Sequence, residues 1–585
     1  MGKEHLDRLV KNNMKEQIEN LIKKVLKNIG INEDIIFSVE HPDDFKNGDY
    51  SSNVAMVCAK QLKINPKELS EKIVSELMNL ISHPDKGEVG GGFDEIQVAG
   101  PGFINFYLSK DFFVQNINKI LIEKEDWGKS NIHLNKKILV EHSSPNLFKP
   151  FHIGHVMNNT IGESISRFAK FSGADVEVIS FPSDISLGIA KAIFIILEKH
   201  ITEGQIFKPQ DIILLGDAYV EGTKRYDEDE SIKARIKDIA DNLYLNIPSI
   251  ELDVYNTCKQ FNMDYFEHIT KILGSKFDDY IFESEAGVVG KEIVLKYTPK
   301  VFTESEGAIV YIPEESKKHI NTAVFINSQG NPTYEAKDLG LLDIKFKKYN
   351  PDISIFITDH QQTSHFDVVL DSAEKINKDW AKKSIHRTHG RMTFKGQKMS
   401  SRLGGVPLAK DLLDLVIEDV KEKSKDLSIN DYTAIGVSAL KFTILRAMAG
   451  KNINFDPETS LSFEGDSGPY LQYSIVRANS VLDKVESLGY KLDSKVLSNE
   501  EQTDFEKMIC RFPDIVDHSI EEWAPHHIVV YLLELARMFN GWYGNTKLID
   551  EENPNMMYNI AVTKAFTQTM KNGLWLLGIE IPERM

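Results

Sequence analysis

The apolar pattern between residues 137 and 181 constrains the fold more than any other stretch of the chain. Ile138-Leu139-Val140-Glu141 is a short run of the buried-strand type, helical spacing runs from about residue 153 to 171, and residues 176–181 read as strand again. Strand, helix and strand at this spacing form the βαβ unit of a parallel sheet. Apolar runs return at Ala323-Val324-Phe325-Ile326 and Ile353-Ser354-Ile355-Phe356-Ile357, each ending at polar residues, and are expected to be further strands of that sheet. Open parallel sheets bind ligands outside the carboxyl ends of their strands, so the loop after Glu141 is where chemistry is expected.

The rest of the 585 residues frames this core, and a chain of that length has a prior of roughly three to five domains. Residues 1–110 read as a small α+β unit, with helical spacing through Ile18, Leu21, Ile22, Val25 and Leu26. One or two helices are expected over Ser52–Leu80, separated near Asn65-Pro66, and a strand–turn–strand around Gly100-Pro101-Gly102. Residues 111–135 are a connecting helix with a charged tail; 136–415 hold the α/β core, interrupted by a charged, mostly helical insertion at about 205–290. Residues 416–464 form a helical linker and 465–585 an all-α domain, with apolar residues at Val529, Leu532, Leu533, Ala536 and Phe539.

Acidic residues outnumber basic ones 87 to 69, for a net charge of −18, which argues against a passive nucleic-acid coating protein but allows an enzyme that meets RNA through local patches. One such patch is Lys382, Lys383, His386, Arg387 and Arg391. Cys58, Cys258 and Cys510 lie far apart with no CxxC pairing, so neither a disulfide framework nor a structural zinc site is expected. No apolar stretch approaches the ~18–20 residues that span a bilayer. The start, Met1-Gly2-Lys3-Glu4-His5, lacks an apolar signal region, and the expected compartment is the cytoplasm.

Two segments carry chemistry. The first runs from Glu141 through Ser143, Asn146 and Lys149 to His152-Ile153-Gly154-His155, at a strand end and a helix start. Free N–H groups and the positive dipole end suit a phosphate-bearing ligand there, and histidines one turn apart can donate to it as charge develops. Glycine between them leaves room for a base or ribose. Taken alone, the pair also reads as half a zinc site, but no third ligand in a HExxH-like pattern is near. The second segment, Gly396-Gln397-Lys398-Met399-Ser400-Ser401-Arg402-Leu403-Gly404-Gly405, is dense in Gly, Ser and cations and can wrap triphosphate oxygens. In isolation its default reading is a solvated basic turn.

Together the segments resemble the HIGH and KMSK signatures of class I aminoacyl-tRNA synthetases. Residues 140–155 (VEHSSPNLFKPFHIGH) are similar to the arginyl-tRNA synthetase form, including a lysine three residues before the first histidine. Tyr334 with Asp338, and Gln362 with His365 and Phe366, resemble that family's Tyr-x-x-x-Asp and Gln-x-x-His-Phe segments. GDYSSNVA (48–55) and VAGPGFINFYLS (98–109) match its N-terminal appended domain; SGPYLQY (467–473) and the ending IPERM (581–585) match its C-terminal anticodon-binding domain. The resemblance covers essentially the whole chain and identifies it as a member of the arginyl-tRNA synthetases.

That resemblance implies a Rossmann-type catalytic domain, an N-terminal α+β domain for tRNA contact and a C-terminal helical anticodon-binding bundle. It implies ATP-dependent activation of L-arginine to arginyl-adenylate, with release of pyrophosphate, then transfer to the 3′ end of tRNA(Arg). Mg²⁺ accompanies the ATP phosphates. By the same resemblance His152, His155, Lys149 and Lys398 are catalytic, and Glu141, Ser143, Asn146, Tyr334, Asp338 and Gln362 bind arginine. A guanidinium calls for a carboxylate in planar, bidentate geometry, the role of Asp338. His152, Gly154, His155, His365, Lys398, Met399, Ser400, Ser401 and Arg402 bind ATP, and Tyr473, Arg477, Phe539, Asn540 and Tyr543 contact tRNA. The family mostly works as a monomer, and it needs bound tRNA before it activates arginine.

Two departures stand out. Ser401 replaces the second KMSK lysine, leaving Lys149 or Arg402 to supply its charge, and Phe181-Pro182-Ser183-Asp184 stands where the family has Gly-Asp-Trp-Gly. Rival readings are another class I synthetase, which would not need the Tyr334/Asp338/Gln362 set, and a non-catalytic tRNA-binding paralogue, which would not keep His152, His155, Lys149 and Lys398. A P-loop is excluded because Glu123 stands where Trp127-Gly128-Lys129-Ser130 would need its first glycine, and a dinucleotide fingerprint at Gly100 because a strand follows it.

Overall fold

The computed structural model describes residues 14–31, 35–82, 92–201, 207–209, 211–394, 407–424, 426–492 and 503–585. The chain divides into two compact units: residues 1–129, 477–518 and 531–573 form one, and 130–476, 519–530 and 574–585 the other.

The first unit holds a four-stranded antiparallel sheet in the order β1-β2-β4-β3: β1 Val39–Glu40, β2 Tyr50–Ser52, β3 Phe93–Ala99 and β4 Phe103–Leu108. Gly100 and Gly102 make the β3–β4 turn at φ +51° and +130°, a region in which a side chain would be strained. Helices Met14–Asn28, Val54–Leu62 and Pro66–Ser82 cover the sheet with Ile18, Ile22, Val25, Leu26, Ile73 and Leu77, all fully buried. Their periodicity is the one the sequence shows. The C-terminal helical part joins this unit through ionic contacts that no local pattern announces. The Asp514 carboxylate accepts the Tyr50 hydroxyl at 2.6 Å and meets His41 Nε2 at 2.8 Å, while Lys507 pairs with Asp49 at 3.3 Å.

The second unit is built on a five-stranded, all-parallel sheet in the order β12-β11-β5-β6-β7. Its strands are β5 Lys137–Glu141, β6 Asp175–Ser180, β7 Asp279–Tyr280, β11 Ile353–Asp359 and β12 Ser384–His389. The chain adds β6 and β7 on one side of β5, then returns to its other side with β11 and β12. The strand order therefore reverses between β5 and β11, and a crevice opens at the carboxyl ends of those two strands.

The insertion is mostly helical, as expected: helices Ile212–Glu228, Glu230–Tyr244 and Ile250–Ile272 precede β7, and Glu283–Lys296 follows it. One expectation is corrected. Ala323–Ile326 does not join the parallel sheet. It is β10 of a separate antiparallel sheet, β10-β9-β8, with β8 Phe302–Ser305 and β9 Ala308–Tyr311. The β8–β9 hairpin turns at Glu306 and Gly307, both at positive φ, and offers an antiparallel edge on which Ala323 pairs with Tyr311. Phe302, Tyr311 and Phe325 bury their rings together, with Phe302 and Phe325 centroids 4.9 Å apart. A four-residue apolar run reads the same in either sheet; the hairpin decides. Two short strands, β13 Met392–Phe394 and β14 Ile453–Phe455, pair in parallel. Among the described residues after β14 every regular element is a helix.

Candidate active site

At the carboxyl end of β5 the helix Ile153–Phe171 begins on His152. The two histidines cap it reciprocally: the Gly154 N–H donates to His152 Nδ1 and the His152 N–H donates to His155 Nδ1, both at 3.1 Å. Because each Nδ1 accepts a backbone proton, each neutral ring carries its own proton on Nε2, which is left to face a ligand as a donor. The rings stack with centroids 3.8 Å apart, and Phe151 stacks on His155 at 4.7 Å. Burial lowers the pKa of both, helped by Lys149 and, for His155, by His152 and His389 as well. The corner is thus a pair of neutral donors at a helix start. A Cβ on Gly154 would lie 3.0 Å from His152 Cε1, so glycine is what lets that ring fold back over its own helix.

The residues just after the second motif return to this corner. Ile153 donates to the Pro407 carbonyl at 3.1 Å, Ala409 donates to the Phe151 carbonyl at 2.8 Å, and Leu408 bridges His152. Lys398, Met399, Ser400, Ser401 and Arg402 themselves lie outside the described residues. Lys149 is exposed, with its ammonium 4.3 Å from the centre of the Tyr219 ring of the insertion. Asn158, which the sequence did not single out, ties the site together. It accepts from the Ser143 N–H and donates to the Ile357 carbonyl, each at 2.6 Å, and so clamps the ends of β5 and β11.

Across the strand-order reversal, the helix Tyr334–Lys348 presents Asp338. This helix crosses Glu283–Lys296 at the closest approach backbones allow: a Cβ on Gly290 would fall 1.8 Å from the Ala336 carbonyl oxygen, and one on Gly340 2.0 Å from that of Ala286. Asp338 Oδ2 meets His365 Nε2 at 2.6 Å, and His365 Nδ1 faces Glu335 Oε1 at 3.5 Å. Burial opposes charge on His365, but the two carboxylates override it and push its pKa up to about 10. Glu141 and Asp338 line one cavity with Leu341, Leu342, Lys345, Phe356, Phe366, Val369 and Leu370. Within it Lys345 holds Glu141 at 2.7 Å, both side chains almost fully buried.

An aminoacyl-adenylate-forming site needs such a phosphate corner and such a carboxylate pocket at one sheet edge, and the comparisons with known proteins decide which. Residues 116–456 match the family model described as tRNA synthetases class I (R), catalytic domain; 16–108 match the arginyl tRNA synthetase N terminal domain; 471–585 match the DALR anticodon binding domain. The chain belongs to the arginyl-tRNA synthetases. It is similar to the arginine–tRNA ligase of Borreliella burgdorferi, 30% identical over 596 residues that cover 98% of this chain and 99% of that one. It is also similar to the arginine–tRNA ligase of Clostridium botulinum, 30% identical over 531 residues that cover 88% and 92%. In fold it matches the Thermus thermophilus arginyl-tRNA synthetase, with a TM-score of 0.79 at 22% identity over 98% and 100% of the two chains. The Plasmodium falciparum arginyl-tRNA synthetase follows, with a TM-score of 0.77 at 22% identity over 98% and 99%. The enzyme is an ATP-using class I ligase that aminoacylates tRNA with arginine.

The synthetase site gathers some sequence-designated residues and leaves others aside. Ser143, at φ +60°, is buried with its hydroxyl on His142 Nδ1 at 2.8 Å. Asn146, Tyr334 and Gln362 are exposed, Tyr334 by 58%. His365 was expected beside the adenosine and is found between the carboxylates Asp338 and Glu335. Phe539 is a correction among the tRNA candidates: it is fully buried and stacked on Phe566 at 4.1 Å, so no base can reach its face. Arg477 instead lies over Tyr543 at 5.2 Å and donates to Asn540 at 3.0 Å. In the basic patch, His386 is stacked on Phe356 and pushed down to about 4 by burial, then by His365. Arg387 donates to the Glu522 carbonyl, and Arg391 to Gln361.

A second network centres on Asp184, which the sequence marks as a candidate site residue in the place of the family's Gly-Asp-Trp-Gly, but whose partners the sequence does not foresee. Asp184 is fully buried and receives Lys259 at 2.7 Å, Tyr255 at 3.0 Å and the Ser284 hydroxyl at 2.7 Å; next to Ser284, Glu283 pairs with Lys337 at 2.6 Å. Lys259 and Glu283 sit on elements that read only as a charged insertion, and nothing local distinguishes them from solvated charges.

Proposed function

We propose that the two corners divide the reaction between them. In the first step an arginine carboxylate oxygen attacks the ATP α-phosphorus in line; the new P–O bond gives arginyl-adenylate, and the bond to pyrophosphate breaks. His152 and His155 donate from Nε2 to the α-phosphate oxygens as charge builds, and Gly154 gives the adenosine room at the helix start. Asp338 receives the guanidinium, with Tyr334 and Gln362 at the mouth and Ser143 and Asn146 toward the α-amino end. Glu141 acts there as Lys345's partner, fixing the pocket wall. Lys149, poised over Tyr219, supplies the charge that Ser401 lacks, and Lys398, Met399, Ser400 and Arg402 close over the pyrophosphate. Mg²⁺ arrives as part of the ATP substrate.

In the second step the terminal ribose hydroxyl of tRNA(Arg) attacks the adenylate carbonyl and AMP leaves. The domains are read as 1–110 for tRNA contact, 136–415 for catalysis and 465–585 for the anticodon. Arg477, Asn540 and Tyr543 offer a cation, an amide and a ring to unstacked bases, and Tyr473 is a further candidate on the helix that carries Arg477. No described helix is long and apolar enough to cross a membrane; the working compartment is the cytoplasm, and the working form a monomer.

The observation that carries this reading is the main-chain pairing of Pro407–Ala409, which follow the second motif in the chain, with Phe151–Ile153 beside the capped histidines. The test is amino-acid-dependent ATP–pyrophosphate exchange over all twenty amino acids, with and without tRNA. Exchange with arginine alone, and only when tRNA is present, is the expected result. Exchange with a different amino acid would overturn the assignment of Asp338.

A further inference from the structure

Among the described residues the polar partners of His365 are two carboxylates. Glu335 and Asp338 stand three residues apart on one helix and therefore share a face, while His365 reaches them from the next helix, Thr363–Ile376. Its Nε2 lies 2.6 Å from Asp338 and its Nδ1 3.5 Å from Glu335. Carboxylates only accept, so Nε2 carries a hydrogen toward Asp338; with a second carboxylate facing Nδ1 and the pKa pushed up to about 10, the ring is an imidazolium. A planar cation with two N–H groups turned on carboxylates imitates, on a smaller scale, what a guanidinium presents. Three neighbouring groups that could carry positive charge are already matched or neutral. Lys345 is held by Glu141, Lys337 by Glu283, and His386, packed on Phe356 and Phe366, is neutral.

We propose that His365 is the resident cation of the arginine pocket: it occupies Asp338 while the pocket is empty, and arginine takes Asp338 from it, so that binding of the substrate cation expels a proton from the imidazole. The proposal rests on Asp338 being the guanidinium carboxylate. Charge conservation supports it. The empty cluster carries two carboxylates and one cation, a net single negative charge. With arginine bound and His365 neutral the sum is unchanged, whereas a retained imidazolium would set two cations against each other in a half-buried pocket. The proton leaves His365 Nε2 for solvent, and the ring keeps its Nδ1–H toward Glu335. The pocket thereby selects for a substrate that stays charged at any working pH, since only a cation that outlasts the imidazolium can displace it.

The test is titration calorimetry of arginine into the full-length enzyme with tRNA(Arg), in buffers of low and high ionisation enthalpy, for the wild type and His365→Gln. Glutamine keeps a donor for Asp338 but cannot lose a proton. The wild type is expected to release close to one proton more than the variant, the arginine α-amino contribution cancelling in the difference. The wild-type KM for arginine, relative to the variant, is expected to fall by up to about tenfold per pH unit as pH rises between the liganded and free pKa of His365. The variant's own KM for arginine is expected to be lower at neutral pH. A merely structural role would raise KM and leave the proton count equal in both proteins, and that result would overturn the proposal. Asp338→Asn separates the two levels. Loss of arginine binding in it, with equal proton counts in wild type and His365→Gln, sinks only the resident cation. Undiminished arginine binding in it sinks the reading of Asp338, and with it the proposal.

Discussion

The proposed phosphate corner and the proposed arginine pocket lie near the carboxyl ends of neighbouring strands, β5 and β11, and both are built around histidine, yet they hold it in opposite states. His152 and His155 turn Nδ1 to backbone N–H groups and lie beside other imidazoles and Lys149, so burial keeps them neutral. His365 is half-buried as well, but it faces two carboxylates and is charged. Burial alone gives the first outcome; only specific partners give the second. The chemistry matches. A phosphate corner uses neutral donors without drawing a permanent anion trap, while a pocket for a cationic substrate needs its carboxylate kept ionised and compensated.

The largest expected effect tests the neutral corner. His155→Ala removes an Nε2 donor from the α-phosphate and is expected to lower kcat of ATP–pyrophosphate exchange by roughly 100- to 1,000-fold with little change in KM for arginine. A rise in KM for arginine instead, with kcat held, would erase the division between the two corners.

The comparison is sharpened by pH. His142, fully buried beside Gly162, is pushed down to about 4 by burial, against a value of 6.5 in the unfolded chain. The unfolded state therefore binds the extra proton, and stability is lost as pH falls from about 6.5 to about 4, by about 3 kcal/mol for this group. His365 runs the other way: its raised pKa contributes stability that is complete below the unfolded value and fades as pH rises through about 10. Urea unfolding across pH should show His142→Asn flattening the acid limb and His365→Gln flattening the alkaline one. A swap of those limbs, or no change in either, would contradict the assigned proton states.

The smallest effect concerns Gly154. Its alanine variant sets a Cβ 3.0 Å from His152 Cε1, so the ring must shift by a few tenths of an ångström. A loss of kcat of roughly tenfold, about 1.4 kcal/mol, is expected with arginine affinity intact. Unchanged kcat would mean that the folded-back ring position does not matter to the reaction.

Much of this was legible in the residues themselves. The βαβ unit, the helices before and after Asn65-Pro66, the Gly100–Gly102 turn and the helical C-terminal part follow from period and turn chemistry, which are local. The motifs and their family resemblance singled out His152, Gly154, His155 and Asp338, and the structure places the first three at one helix start and Asp338 on the helix Tyr334–Lys348. Tertiary structure decided what depends on partners far along the chain. Ala323–Ile326 went to the antiparallel sheet because the β8–β9 hairpin offered an edge. Phe539 became core because Phe566 stacks on it, and Asp514 found Tyr50 and His41 across some 460 residues. It also fixed the charge of each histidine, since a side chain's pKa belongs to its surroundings and a sequence supplies the imidazole without saying whether carboxylates or backbone amides will face it.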